Sequence, residues 1–195
     1  MRIVRPVVLL AALLGLSGCM PLFLHAGYTA KDLVAVDRLA GTWSQPGTGG
    51  GSLSGNDTLT FRPESDTSWR VVFRGGGQDP ESLVFLGHTF RAGVATLVDL
   101  EPHPSNTVSA FYVPAHVFSR VSFIGDTLIW GALDVDWAVA ASRRGAIDCP
   151  VDTVAAGGDK NLVFTCGTPA VRRLLVAAAA NPKAFSNETM VRIAP

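Results

Sequence analysis

Like-charge clusters, paired catalytic residues and thiols are all scarce in this chain. Its 195 residues include only three cysteines and four histidines, and 16 Lys+Arg balance 16 Asp+Glu to a formal net charge of zero. No run of like charge occurs, so the chain offers no electrostatic surface for nucleic acid or for anionic lipid. No serine sits in a G-x-S-x-G elbow, and no Cys/His/Asn nucleophile signature is present. The segment from Pro46 to Gly55 holds five glycines but lacks the terminal Lys-Ser/Thr of a phosphate-binding loop. Of the histidines, His25, His88 and His116 stand apart from any carboxylate in sequence. Glu101-Pro102-His103 alone brings the two groups together, in a proline-rich corner without the further ligands zinc requires. Asp134 and Asp136 lie where a strand gives way to a helix, and read as capping groups rather than a catalytic carboxylate pair. The expectation is a non-enzymatic protein with no catalytic residues, metal or cofactor.

Beyond the N-terminus, no apolar stretch is long and uncharged enough to cross a membrane as a helix. The N-terminus itself is distinctive. Arg2 and Arg5 precede an apolar run from Val7 to Leu16, and Leu16-Ser17-Gly18-Cys19 follows. A charged region, a short apolar core and small residues make a signal peptide. The last four residues closely resemble the lipobox of bacterial lipoproteins. That resemblance implies removal of residues 1–18, a diacylglyceryl group on the Cys19 sulfur and an acylated new amino group. Residues 19–28 then read as a lipidated tether to the membrane, and 29–195 as one domain. Met20 lacks the aspartate that retains such proteins at the inner membrane, which implies the outer membrane with the domain facing the periplasm. With Cys19 carrying lipid, Cys149 and Cys166 remain as a pair. In an oxidising compartment they are most simply a disulfide, the sharper alternative being a redox or metal-binding role.

Thr29-Ala30-Lys31-Asp32 looks like a helix start, with Leu33, Val36 and Leu39 at helical spacing behind it. From Thr58 the apolar period becomes two. Leu59 and Phe61 form one such set and Trp69, Val71 and Phe73 another. Further strands are expected over Leu83–Leu86, Val94–Leu100, Ser109–Val113, His116–Ile124 and Thr127–Leu133. Gly125-Asp126 between the last two fits a type II′ hairpin. About seven strands joined by short turns make an antiparallel meander, closed as a barrel or stacked as a sandwich. A short helix should follow through Trp137–Ser142, then a strand over Asn161–Cys166. A final helix should start at Thr168-Pro169, with Val171, Leu174, Leu175 and Ala178 as its apolar stripe. Thr189–Ile193 reads as a last strand.

A short helix, then Gly41-Thr42-Trp43, then a meander and a late helix, is similar to the lipocalin-like (calycin) layout. The resemblance implies a mainly β barrel with short flanking helices and a C-terminal amphipathic helix. It also implies that Trp43 plugs the barrel base rather than touching a ligand. Aromatics on the strands, among them Phe61, Trp69, Phe73, Phe85, Phe111, Phe123 and Trp130, with Trp137, either fill the core or line a cavity for one small ligand. The function expected is that of an envelope lipoprotein, lipid-anchored, binding a small apolar ligand or lipid. The alternative is a structural or assembly partner of another envelope protein.

Overall fold

The computed structural model describes residues 20–46, 57–75, 82–104, 115–144, 147–156 and 159–195. The signal segment, Cys19 and the expected strand Ser109–Val113 lie outside the described residues. In chain order the strands are β1 (Leu22–Phe23), β2 (Gly41–Ser44), β3 (Thr58–Pro63), β4 (Ser68–Arg74), β5 (Ser82–Ala92), β6 (Ala95–Pro102), β7 (Val117–Ile124), β8 (Thr127–Ala132), β9 (Val151–Ala156), β10 (Asp159–Phe164) and β11 (Glu188–Ala194). Two α-helices are described, α1 (Val135–Arg143) and α2 (Thr168–Ala179). The eight strands β11-β2-β3-β4-β5-β6-β7-β8 close into an antiparallel barrel, the architecture the lipocalin-like layout implied.

Alternation along the strands divides the apolar side chains between two cores. Trp43, Phe61, Trp69, Val98, Leu128 and Trp130 meet inside the barrel. Phe90, Ala92, Leu97 and Phe118 point outward from the β5–β7 wall instead, and pack beneath Phe23, Phe164 and the apolar side of α2. A wall buried on both faces carries adjacent apolar residues such as Leu97 and Val98, both without solvent exposure. This explains the continuous apolar runs in that part of the sequence.

The Gly125-Asp126 turn is as expected. Gly125 has φ +54° and among the described residues no non-glycine residue has positive φ, which is the type II′ pattern rather than type I′. Gly93 (φ +57°) begins a second two-residue connection, between Ala92 and Ala95. Asp134 caps α1, its carboxylate accepting from the Trp137 backbone N–H at 2.7 Å. Cys149 and Cys166 are joined as a disulfide with Cα atoms 4.7 Å apart. The bond closes the foot of the β9–β10 hairpin, just outside the Val151↔Phe164 pair.

Three expectations are corrected. Residues 29–39 do not form one helix but two 3-10 turns, Ala30–Asp32 and Asp37–Leu39. The reason is β5, which runs past the start of β4 and leaves its edge open at Thr89 and Phe90. Leu33 bridges to Phe90 there, and the Val34 N–H donates to the Thr89 carbonyl at 3.0 Å. Strand pairing thus removes the donors that a helix would have used. The Thr29–Asp32 cap does form, with Thr29 N and Oγ1 donating to Asp32 Oδ2 at 2.9 and 2.8 Å.

Residues 20–28 are not a loose tether. Leu22–Phe23 forms β1, parallel to β10, in a three-stranded sheet of order β1-β10-β9. Phe23 is fully buried, with its ring stacked 4.6 Å from Phe164 and edge-on 5.0 Å from Phe118. Burying an aromatic ring of that size outweighs the entropy of a free segment. Thr168, finally, is not the cap of α2. Gly167 occupies the N-cap and Thr168 begins the helix, so no side-chain cap bond exists there. The expected stripe of Val171, Leu174, Leu175 and Ala178 is buried, while Arg172 reaches Asp32 at 2.9 Å and ties α2 to the first 3-10 turn.

Candidate functional site

The strand directions give the barrel two unlike ends. β2, β4 and β6 finish where β3, β5 and β7 begin, and this end is the mouth. At the other end lie the Gly93 and Gly125 turns, with the Asp37–Leu39 turn beside them. Trp43 seals that base. It is 1 % exposed, its Nε1–H donates to the Leu39 carbonyl at 2.8 Å, and the Arg192 guanidinium lies 4.7 Å from the ring centroid. Arg192 also donates to the Arg38 carbonyl at 2.6 Å, clamping the last barrel strand over the turn that precedes the first. Arg38 in turn bonds the Gly125 carbonyl and covers the Phe123 ring at 4.5 Å.

Above this base, Phe61, Trp69 and Trp130 fill the interior. Phe61 lies edge-on to Trp69 at 6.3 Å and tilted against Trp130 at 5.9 Å. These rings are core, as eight-stranded barrels often require. Trp137 lies on α1 and packs against the outer core, and Phe111 falls outside the described residues. Nearer the mouth the packing thins, and Phe73, Phe85 and Leu100 are only partly buried against the inner core. Polar groups accompany them. Glu188 and Asp57 are buried, and Gln45 Nε2 donates to Glu188 Oε2 at 3.4 Å. Partly buried apolar side chains thus lie over a filled floor, with carboxylate and amide oxygens on the β11–β2–β3 side.

The second concentration of chemistry lies on the outer face of the wall. Asp99 (β6) is 1 % exposed, and the Nδ1 of His116, just before β7, lies 2.7 Å from its Oδ2. His88 (β5) is the direct cross-strand partner of Asp99. The Tyr28 ring packs 5.7 Å from His88 and 4.8 Å from Phe90. Sequence spacing could not reveal this cluster, because 17 residues separate His116 from Asp99 and strand pairing alone unites them. The one sequence-adjacent pair is broken up. His103 lies 3.1 Å from Glu64 and 3.4 Å from Arg70.

Burial pushes the Asp99 carboxyl up, and the hydrogen bond and charge of His116 reverse this only in part. Burial alone would lower His116, but the bond to Asp99 and its charge, with Glu101 adding, hold the imidazole above its ordinary value. Burial followed by the Asp99 and Glu101 charges likewise raises the Tyr28 phenol. An Asp–His pair orients an imidazole for base catalysis, yet among the described residues no hydroxyl or thiol hydrogen-bonds His116. No group of three metal-ligating residues converges among the described residues either. The pair does hold a junction, because the His116 backbone exchanges hydrogen bonds with Phe23 of β1 at 2.8 and 3.0 Å.

A pH dependence of stability follows. Both groups keep their proton to higher pH in the folded chain than in the unfolded one, so the native state binds more protons and stability falls as pH rises. The His116 contribution is complete below about pH 6.5, its unfolded value, and is lost as pH climbs through the raised folded value. Asp99 acts in the same direction from its own unfolded value upward. Urea midpoints measured from pH 5 to 9 should therefore decline, and His116→Gln should flatten the upper part of the profile. A wild-type midpoint that rises across this range would contradict the pairing.

Comparison of the chain with protein-family models, curated proteins and solved structures finds no match.

Proposed function

We propose that this is a non-enzymatic envelope lipoprotein that binds a small apolar ligand or lipid at the mouth of its barrel. In this reading Cys19 carries the lipid that anchors the chain to the outer membrane, with the domain facing the periplasm. The observation that supports the binding role is the partial burial of Phe73, Phe85 and Leu100 above a floor filled by Trp43, Trp69 and Trp130, which this reading takes as a vestibule. Partly exposed apolar side chains on a preformed scaffold are what a small apolar ligand would use. The signal peptide and lipobox pattern support the location.

Native mass spectrometry of the detergent-extracted protein, with extraction of bound small molecules, tests this. A reproducible lipid or metabolite is expected on the wild type, and Phe85→Glu should lose it while keeping the same far-UV spectrum. Retention of the ligand by Phe85→Glu would remove the vestibule as its site. A second reading, an assembly role, is favoured by Val94 and Ile124, 83 % and 72 % exposed on neighbouring hairpin tips. A clean apo mass with a co-purifying envelope protein would move the assignment there.

A further inference from the structure

We infer that β9 is a strand-addition edge and that a second copy of this chain pairs with it, β9 against β9, antiparallel about a two-fold axis at Thr153. The pairing needs neither a lipid on Cys19 nor a ligand in the barrel.

A strand edge carries unpaired N–H and C=O groups, which recruit another strand unless something blocks them. The barrel strands pair all the way round. The overhang of β5 is covered by residues 33–34, where Leu33 bridges to Phe90 and the Val34 N–H donates to the Thr89 carbonyl. β1 has β10 on one side and the backbone of His116 on the other. β9 differs. It ends the sheet of order β1-β10-β9, and among the described residues only β10 pairs with it. Asp152, Thr153 and Val154 are exposed, Val154 by 48 %. Val151–Ala156 contains no lysine, arginine or proline. Its pairing with β10 runs from Val151↔Phe164 to Ala156↔Asp159 without a shift of register, so no bulge turns the edge away. Apart from the single charge of Asp152, the usual guards of an open edge are missing. The Cys149–Cys166 bond at the foot meanwhile fixes the hairpin that presents this edge.

Hydrogen-bond alternation sets the register. The Thr165 N–H donates to the Pro150 carbonyl at 3.1 Å, just outside the Val151↔Phe164 pair. Pro150 therefore turns its carbonyl toward β10, and every second residue of an antiparallel strand does likewise. Asp152 and Val154 use their backbone groups inside the hairpin, while Val151, Thr153 and Ala155 turn theirs to the open edge. The Phe164 carbonyl agrees with this, since it accepts from the Leu24 N–H at 3.1 Å, on the side of β10 away from β9. An added antiparallel strand of the same sequence must match outward residue to outward residue. Centring the axis on Thr153 pairs Thr153 with the partner's Thr153, and Val151 with the partner's Ala155. Every outward residue then has a partner. Asp152 falls opposite the partner's Val154, whereas an axis at Asp152 would set like charge against like charge. Thr–Thr pairs are favourable across strands and opposed like charges are not, so β9 is complementary to itself in one register. The product is a continuous sheet in which β1-β10-β9 runs on into the partner's β9-β10-β1.

The full chain, extracted in detergent, is followed by sedimentation velocity across a dilution series. A reversible monomer–dimer equilibrium is expected, because one strand pairing is a small interface. Thr153→Lys should weaken the dimer at least about tenfold, since two cations would meet on the axis. The exposed position should leave the urea midpoint of the dilute chain unchanged. Thr153→Cys, oxidised with copper–phenanthroline, should give a covalent dimer joined through position 153. Opposed Cα atoms of a hydrogen-bonded pair stand about 5.5 Å apart, within disulfide reach. The wild type and Asp126→Cys, on the Gly125 turn, supply the background. A chain that stays monomeric throughout the series overturns the inference. So does a dimer that Thr153→Lys leaves intact, or cross-linking at position 153 no greater than at position 126.

Discussion

Gly131→Ala is expected to prevent the barrel from closing. A Cβ built on Gly131 would lie 2.1 Å from the Ser186 carbonyl oxygen and 3.2 Å from the Phe185 Cβ. The obstacle is backbone, so no side-chain rotation relieves it. The Ser186 N–H donates to the Ala132 carbonyl at 3.0 Å, and Ser186 Oγ accepts from the Ala132 N–H at 2.9 Å. Leu133 bridges to Phe185 beside them. This close seam delivers the chain into β11, which must pair with β8 from Glu188↔Trp130 onward. Overpacking in a core commonly costs about 1–3 kcal/mol, and a backbone clash at the closing seam should exceed about 3 kcal/mol. The urea midpoint should fall accordingly, or the variant should appear only as unfolded or aggregated chain. Gly75→Ala is the control, because its Cβ would meet nothing nearer than Asp57 Oδ1 at 3.9 Å. Equal midpoints for the two variants would contradict the seam.

Trp43→Ala should destabilise by about 3–5 kcal/mol, the usual range for emptying a buried aromatic site. Three contributions are lost together, and their sizes differ. The largest is packing, since Trp43 is 1 % exposed at the base of the inner core. The Nε1 bond to Leu39 adds about 1 kcal/mol. The Arg192 guanidinium over the ring contributes about 0.5–1 kcal/mol, because Arg192 is exposed to solvent. Trp43→Phe should therefore cost much less than Trp43→Ala, and Arg192→Met less again. A cost below about 1 kcal/mol for Trp43→Ala would mean that Trp43 is not the base plug. A nearly full cost for Arg192→Met would assign closure to the Arg192–Arg38 clamp instead.

The two substitutions also bear on the proposed function. Trp43 acts at the filled end, whereas Gly131 lies at the mouth end of β8, on strands other than the β4, β5 and β6 that carry Phe73, Phe85 and Leu100. A partially destabilised Trp43→Phe protein that still carries ligand would show that base and vestibule are separable. That separation is what the proposed binding role implies, since a ligand site on a preformed scaffold needs only the local walls to persist.

Sequence by itself determined what nearest neighbours in the chain can dictate. The period of two from Leu59 to Phe73 requires strands, and glycine ahead of Asp126 in a two-residue connection requires a type II′ hairpin. Asp134 ahead of Trp137 supplies a cap, and the spacing of Val171, Leu174, Leu175 and Ala178 makes one helix face. Each signal acts within a few residues, where backbone sterics and local hydrogen bonds operate. The pairing of Cys149 with Cys166 was legible for a related reason, being the one pair left if Cys19 carries the lipid that its lipobox-like context suggests. Tertiary structure decided the rest. Helical spacing at residues 29–39 yielded to strand pairing because the edge of β5 offered Val34 a partner that sequence cannot display. The tether became β1 because Phe23 found a pocket between Phe118 and Phe164. Asp99 met His116, and Arg192 met the Arg38 carbonyl across 154 positions, because a closed barrel brings distant strands side by side. Periodicity shows which face of a strand is apolar, but not which strand will lie beside it. In a closed barrel, that choice of neighbours places every polar group of the candidate site.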